Sequence, residues 1–185
     1  MYHHPETRPS ANALIGAAAA LLCAVCPALA LAAESVTPFE AQADVAHRQL
    51  SPDFCWFHPR VAALPGFGKD GQPAVIMTIQ KHLVVSDYYS GMYFLRTDDL
   101  GTSWSGPTEI PELAWRQGAN NETIAVCDVT PGWHSPTGKL IAVGTKLRYS
   151  PQGGQLLDQP RSHECAYATF DPQTNRWTTW KMLAM

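Results

Sequence analysis

The sequence predicts an all-β fold made of two consecutive four-stranded antiparallel meanders. Short runs rich in β-branched residues alternate with turns, and the chain holds 13 glycines, 15 prolines and 6 tryptophans, which favours sheets over a helical bundle. The same order of strands recurs after about 66 residues, as expected for a repeat protein. Hydrophobic residues are 45% and charged residues 16% of the chain, which excludes a disordered polymer. A net charge of −3 makes nucleic acid and anionic lipid unexpected partners.

The first 32 residues have the three-part pattern of a secretory signal peptide. Polar Met1–Ala13 precedes the apolar run Leu14–Val25, and two overlapping Ala-x-Ala cleavage sites end at Ala32. The alternative is a membrane anchor, but the run is shorter than the roughly 20 residues of a spanning helix. We therefore expect a secreted or periplasmic protein without a membrane span, in which residues 33–53 form a lead-in segment.

Cleavage leaves three cysteines, Cys55, Cys127 and Cys165. Two of them can pair in an oxidising compartment. The favoured interpretation is three small buried residues, and no His/Cys cluster has zinc-ligand spacing.

Four runs form the first predicted meander, and turn residues separate them. Proline in the last run suits an edge strand, because proline cannot donate a ladder hydrogen bond. The runs are Arg60–Phe67, Gly71–Gln80, Gly91–Thr97 and Pro107–Leu113.

The second meander repeats the first in the same order, which divides residues 54–185 into units of about 54–118 and 119–185. The alternative is chance similarity between strand-rich stretches, which several anchors in one order disfavour. Repeated meanders of one period are typical of β-propeller blades. The anchors are Pro65–Phe67 with Pro131–Trp133, Ala74–Met77 with Leu140–Val143, Met92–Asp98 with Ala166–Asp171, and Trp104 with Trp177.

A turn motif lies between the third and fourth predicted strands. Thr97, Asp99, Gly101, Ser103 and Trp104 fit the pattern S/T-x-D-x-G-x-T/S-W. We expect Asp99 to accept hydrogen bonds from turn amides, Gly101 to adopt a positive φ, and Trp104 to pack beneath the turn. The motif resembles the Asp-box, or bacterial neuraminidase repeat, of the sialidase-like propellers.

This resemblance implies a partial sialidase-like β-propeller, with about two blades of a six-bladed fold and a bacterial source. It gives the aspartate of the box a structural role and no catalytic one. A degenerate second copy of the box runs from Thr169 to Trp177.

A second resemblance supplies candidate site residues. Phe57–Pro65 is similar to the segment that opens sialidase catalytic domains, which implies that Arg60 binds the substrate carboxylate through its planar guanidinium. In that family a general-acid aspartate follows before the box, and Asp87 is the carboxylate at that place. The alternatives are a salt-bridge arginine and an ordinary loop aspartate. Gln80–His82 stands where the family carries another arginine, which weakens sialic acid as the specific substrate.

The second meander offers two further carboxylates, Glu122 and Asp128. They are expected to flank an innermost-type strand, whose ends would line the central channel, where they can position sugar hydroxyls. The alternative for each is a solvated charge at a strand end. His134 is expected in the following turn with a structural role.

The resemblance implies that the chain is the N-terminal part of a secreted glycoside hydrolase that cleaves terminal acidic sugars with retention. The Tyr/Glu nucleophile pair of this family comes from later blades, so the 185 residues alone are expected to be inactive. The expected partner is a glycan, and no cofactor or metal is required. The alternative is a carbohydrate-binding Asp-box propeller without catalysis, because fold does not fix function.

Overall fold

The structure, a computed structural model, describes residues 39–83, 87–157, 159 and 164–183. The expected signal peptide, residues 1–32, lies outside the described residues. Residues 39–53 form no helix or strand, and all regular elements belong to the compact unit Asp44–Met185.

The prediction of an all-β fold is confirmed, because the described residues contain ten strands, three short 3-10 turns and no α-helix. No helical segment among them has the length and hydropathy that a bilayer crossing requires. The strands are β1 Phe54–Leu64, β2 Ala74–Leu83, β3 Tyr89–Thr97, β4 Ser105–Glu109, β5 Arg116–Gln117, β6 Thr123–His134, β7 Lys139–Tyr149, β8 Cys165–Asp171, β9 Arg176–Trp177 and β10 Lys181–Met182.

The strands form two antiparallel sheets of four and six strands. The first sheet has the order β1-β2-β3-β4, and the second has the order β10-β8-β7-β6-β5 with β9 also paired to β8. Consecutive strands are therefore neighbours throughout the first sheet and from β5 to β9 in the second. In the second sheet the place of a fourth strand is taken by two short segments, β9 and β10, that both pair with β8.

Strand β2 illustrates why this sequence forms sheet. Its residues alternate with the period of a strand, and the side chains at every second position from Ala74 to Gln80 are fully buried. Because two of these four side chains, Thr78 and Gln80, are polar, they must find hydrogen-bond partners inside the protein.

The two sheets share one hydrophobic core. Residues of the first sheet pack with residues of the second in a single buried cluster, so the facing sides of both sheets are shielded from water. The cluster includes Leu64, Ile76 and Met92 from the first sheet and Val129, Leu140 and Phe170 from the second.

The fourth predicted strand is displaced. Strand β4 begins at Ser105 and ends at Glu109, and Pro111–Leu113 is a 3-10 turn instead of strand. Proline occupies the first position of this turn, where no amide donor is needed, and Leu113 is turned into the core with 1% exposure. Strand β4 is nevertheless the edge strand of its sheet, as the prolines indicate.

One anchor of the predicted repeat is wrong. Pro65–Gly66 lies in the turn after β1, whereas Pro131–Trp133 lies inside β6. His134 is the last residue of β6, and its carbonyl accepts the hydrogen bonds of the following turn. This half of β6 pairs only with β7, so Pro131 has no second ladder to disrupt. The rings of Phe67 and Trp133 pack at 6.0 Å between centroids, so the two segments are packed neighbours and not equivalent positions.

The turn Thr97–Trp104 joins β3 to β4 and is organised by one carboxylate. Asp99 accepts hydrogen bonds from the Ser103 amide at 2.8 Å, the Ser103 hydroxyl at 2.7 Å and the Thr97 hydroxyl at 2.9 Å. Gly101 has a φ of +91°, and a Cβ there would lie 3.8 Å from the Trp104 indole nitrogen. The indole therefore packs against the turn.

The turn after β8 repeats part of this arrangement. The Asp171 carboxylate accepts the Gln173 amide at 2.9 Å and pairs with Lys139 at 3.2 Å. Asn175 takes a φ of +53°, a conformation that asparagine tolerates better than most residues. The Lys139 ammonium and the Gln173 amide hold the pKa of Asp171 below its ordinary value.

The three cysteines among the described residues, Cys55, Cys127 and Cys165, are all unpaired. Cys127 is buried and Cys165 is half-buried, but Cys55 is exposed, so the expectation of three buried cysteines is wrong for Cys55. Cys55 lies on β1, at the edge of the first sheet, where alternate side chains face solvent.

The Thr97–Trp104 turn should lose its order in acid. Hydrogen bonds from Ser103 and Thr97 lower the pKa of Asp99, so the stabilisation is complete at neutral pH and is lost as the pH falls through that depressed value. An NMR titration should show the Ser103 amide shifting together with the Asp99 carboxyl carbon. In Asp99→Asn the same titration should be flat. A Ser103 shift that persists in this variant would contradict the role of Asp99.

Candidate functional site

A cleft of about 270 Å³ opens where the turn before β3 meets the middle of β6 and β7. It brings together two of the carboxylates that the sequence singles out, Asp87 and Asp128. Its lining consists of His58, Asp87, Tyr89, Cys127, Asp128, Thr145, Leu147 and Gln155.

A β-bulge in β6 presents Asp128 to this cleft. The pairing of β6 with β7 shifts register between Cys127 and Thr130, and Asp128 takes a φ of 52°. A left-handed conformation at a residue other than glycine costs free energy, and a bulge removes local backbone groups from the ladder. Something outside the β6–β7 ladder must therefore bind those groups.

Two buried side chains of β2 do so. The amide of Asp128 donates to Gln80 Oε1 at 2.9 Å, and Gln80 Nε2 donates to the carbonyl oxygens of Val126 at 3.0 Å and Ser90 at 2.9 Å. The Thr78 hydroxyl donates to the carbonyl oxygen of Val129 at 2.6 Å. The first sheet thus fixes the backbone conformation that carries Asp128 in the second.

Arg60 reaches the same place from β1. Its Nη2 lies 2.8 Å from Asp128 Oδ1, and the two side chains are 39% and 42% exposed. Strand β1 also has a bulge, since its register shifts between Phe57 and Arg60 and His58 has a φ of 53°. The guanidinium is therefore paired with a carboxylate of this chain. A pair as exposed as this one contributes only about 0–1 kcal/mol.

Asp87 lies between β2 and β3 and is exposed, with a φ of 54°. The Tyr89 hydroxyl donates to its Oδ1 at 3.3 Å. Burial raises the pKa of Tyr89 to about 12, and the nearby Cys127 and Asp87 add to the shift. The phenol thus stays protonated at physiological pH and acts in the cleft as a hydrogen-bond donor.

Aromatic side chains hold Tyr89 in place. The Phe57 ring stacks on the Tyr89 ring at 6.0 Å, and His58 and His82 approach it at 5.1 and 5.2 Å between centroids. Tyr89 is 6% exposed. These ring contacts therefore hold its hydroxyl in a fixed position at the cleft.

Cys127 lines the cleft but has no nucleophilic character. Its Sγ lies 3.9 Å from His58 Nδ1, yet the side chain is 4% exposed. Burial, followed by the charge of Asp128, raises the pKa of Cys127 to about 12. The thiolate that nucleophilic catalysis needs is therefore not formed at neutral pH.

Glu122 is not part of the cleft. It precedes β6 and pairs with Arg148, whose Nε and Nη2 both lie 2.9 Å from its carboxylate oxygens. The Glu122 side chain is only 13% exposed. The expectation that Glu122 and Asp128 flank one strand is wrong, because Asp128 lies in the middle of β6, at the bulge.

Sequence reasoning did not assign Gln80 or Tyr89 to this site. Gln80 stood out only as a departure from a family arginine, but it follows Thr78 in the buried phase of β2, a position where a polar side chain needs an internal partner. For Tyr89 no comparable sequence signal exists, since its place depends on the contact between the sheets.

No family model, curated protein or solved structure matches this chain. Among the described residues no group of three or more His, Cys, Asp or Glu side chains is arranged to hold a metal ion. The resemblance to the sialidase-like propellers therefore rests on the sequence motifs alone.

Replacing Gln80 should destabilise the protein strongly. Gln80→Leu keeps the volume but leaves the Asp128 amide and the Val126 and Ser90 carbonyls without their partner. Unsatisfied buried groups of this kind should lower the free energy of unfolding by about 3 kcal/mol. Urea denaturation measures the change. Gln117→Leu on the exposed β5 is the matched control and should cost less than about 0.5 kcal/mol. Equal effects of the two changes would contradict the assigned role of Gln80.

The cysteines should differ sharply in reactivity. Iodoacetamide at pH 8 should alkylate the exposed Cys55 and leave Cys127 unmodified, because Cys127 is buried and its pKa is raised to about 12. Mass spectrometry of the native and the urea-unfolded chain reads out both sites. Rapid native labelling of Cys127 would show an open or ionised thiol.

Proposed function

We propose that this chain is the N-terminal part of a secreted sialidase-like glycoside hydrolase that acts on terminal acidic sugars with retention. The observation that carries the proposal is that Asp87 and Asp128, which lie far apart in the sequence, line one cleft together with Tyr89, and that Arg60 is ion-paired with Asp128. Convergent polar groups in a concave site are typical of ligand binding.

In this proposal Asp87 is the general acid/base. One of its oxygens accepts the Tyr89 hydroxyl, which leaves Oδ2 to face the glycosidic oxygen. A carboxyl group within hydrogen-bond reach of the leaving group can transfer the proton that bond cleavage needs. Tyr89 serves as a positioning residue, because a phenol that stays protonated is no nucleophile.

Arg60 binds the substrate carboxylate by exchanging partners. It now holds Asp128, and the weak, half-exposed ion pair can be replaced by a bidentate pair with the ligand. Asp128 is then released to accept a sugar hydroxyl. The Tyr/Glu nucleophile pair belongs, in this proposal, to further blades of the propeller.

A second candidate function is a non-catalytic module that binds neutral sugars. The Arg60–Asp128 ion pair favours it, because the guanidinium charge is already neutralised while Asp87 leaves the cleft acidic. A neutral sugar would use both carboxylates as hydroxyl acceptors and would leave the ion pair intact.

Binding to charge variants separates the two functions. The 185-residue chain is titrated with the methyl glycoside of N-acetylneuraminic acid and with methyl β-D-galactopyranoside, and the Asp128 amide is followed by NMR. The hydrolase proposal predicts that Asp128→Asn tightens binding of the acidic glycoside several-fold, because Arg60 is released and a repulsive charge is removed, and that Arg60→Gln abolishes it.

The neutral-sugar module predicts the opposite sign, with weaker galactoside binding in Asp128→Asn. Thr137→Ser, in the turn after β6, is a control that should change neither affinity. Absence of binding by both glycosides would contradict both functions.

Turnover should be absent from this chain alone. An acid without a nucleophile opposite it cannot complete retaining hydrolysis, so fluorogenic sialosides should not be cleaved above the rate in buffer. Cleavage that disappears in Asp87→Asn would show that the nucleophile lies within these 185 residues.

A further inference from the structure

A second cavity, also of about 270 Å³, lies beside the start of β3. Its volume is slightly below the range of about 300–1,000 Å³ typical of drug-sized ligands, which suits a single sugar ring. The cavity is lined by Ser90, Gly91, Tyr93, Glu109, Ala114 and Trp115.

Trp115 is an exposed aromatic side chain that is held rigidly. It is 39% exposed, yet its indole nitrogen donates to the Tyr89 carbonyl at 3.0 Å and its ring stacks on Tyr88 at 5.5 Å and 29°. The Tyr88 ring is in turn packed against Tyr149. Because Tyr88 covers one face of the indole, a ligand has the other face and the ring edge. A surface tryptophan fixed in this way loses little entropy on binding.

Glu109 supplies the polar group of this cavity. It lies opposite Tyr93 in the β3–β4 ladder and is exposed, and its carboxylate has no hydrogen-bond or ion-pair partner among the described residues. Gly91 lets β3 approach the Ala114 backbone closely, since a Cβ there would come within 3.2 Å of it. An unpaired carboxylate beside an aromatic face can accept hydroxyl protons from a ligand stacked on that face.

The charges nearby limit the class of ligand. The Lys81 ammonium lies 4.7 Å from the Tyr93 ring centroid, so this ring already holds a cation and a second one would be repelled. An anionic ligand would meet the Glu109 carboxylate. A neutral ligand with both an apolar face and hydroxyl groups satisfies the two constraints.

We propose that this cavity is a binding subsite for a neutral pyranose, whose C–H face stacks on Trp115 and whose hydroxyls donate to Glu109. The subsite is separate from the Arg60–Asp128 cleft, although consecutive residues of β3 line the two cavities. It holds whether or not the cleft cleaves glycosides.

NMR of the full chain tests this subsite. The Trp115 indole N–H signal, assigned by its loss in Trp115→Phe, is followed during titration with methyl β-D-glucopyranoside and methyl β-D-galactopyranoside. At least one of them should shift it in a saturable manner. Glu109→Gln should weaken that binding at least fivefold, and Trp115→Ala should abolish it.

Two controls keep the result specific. Asp53→Asn removes another exposed carboxylate, and Asp87→Asn alters the cleft. Both variants should bind the glycoside with unchanged affinity, as measured from the Trp115 indole signal. Loss in Asp87→Asn would assign the binding to the cleft and overturn the subsite. If Trp115→Ala fails to fold, Glu109→Gln alone decides.

Two charged probes test whether the subsite selects neutral ligands. Tetramethylammonium chloride and the methyl glycoside of N-acetylneuraminic acid should leave the Trp115 indole unmoved. A shift with either charged probe, or no shift with either neutral glycoside up to 50 mM (on the order of a weak monosaccharide affinity), would overturn the proposal.

Discussion

The position of the cleft depends on one buried amide side chain. Gln80 is fully buried and uses both ends of its amide, accepting from Asp128 and donating to Val126 and Ser90. These three bonds join two strands of the first sheet to the bulge of the second. Without them the left-handed backbone at Asp128 would be both strained and unsatisfied. The buried hydrogen bonds therefore determine where the cleft carboxylate stands, and hydrophobic packing alone would not.

Much of the fold follows from local sequence. The alternation and β-branched residues of β2, and the Asp99–Gly101 turn, are local signals, and the structure has a strand and a turn at those places. The equivalence of Pro65 and Pro131 failed because it rested on residue identity without the pairing of β6, where Pro131 lies in the half of the strand that pairs with β7 alone. Local residue preferences predict elements, but the register of distant strands depends on packing.

The candidate site was predictable in part. Arg60, Asp87 and Asp128 were singled out from the sequence. Asp87 and Asp128 line the cleft, and Arg60 forms the salt bridge that was the alternative for it, but its partner Asp128 was not foreseen. Glu122 looked equivalent to Asp128 because both flank apolar residues, yet one binds Arg148 and the other Arg60. The pairing of Arg60 with Asp128 depends on β-bulges in β1 and β6, and no short motif encodes a bulge that two strands create together.

Hydrogen exchange at the Asp128 amide tests the central claim most directly. If Gln80 fixes the bulge, this amide should exchange slowly in the native chain, with protection similar to that of Ile79 within β2, although it lies outside the β6–β7 ladder. The same amide should lose its protection selectively in Gln80→Leu under conditions where that variant remains folded. Exchange of the native Asp128 amide at the rate of an unstructured peptide would show that Gln80 does not hold the bulge, and the account of the cleft would fail with it.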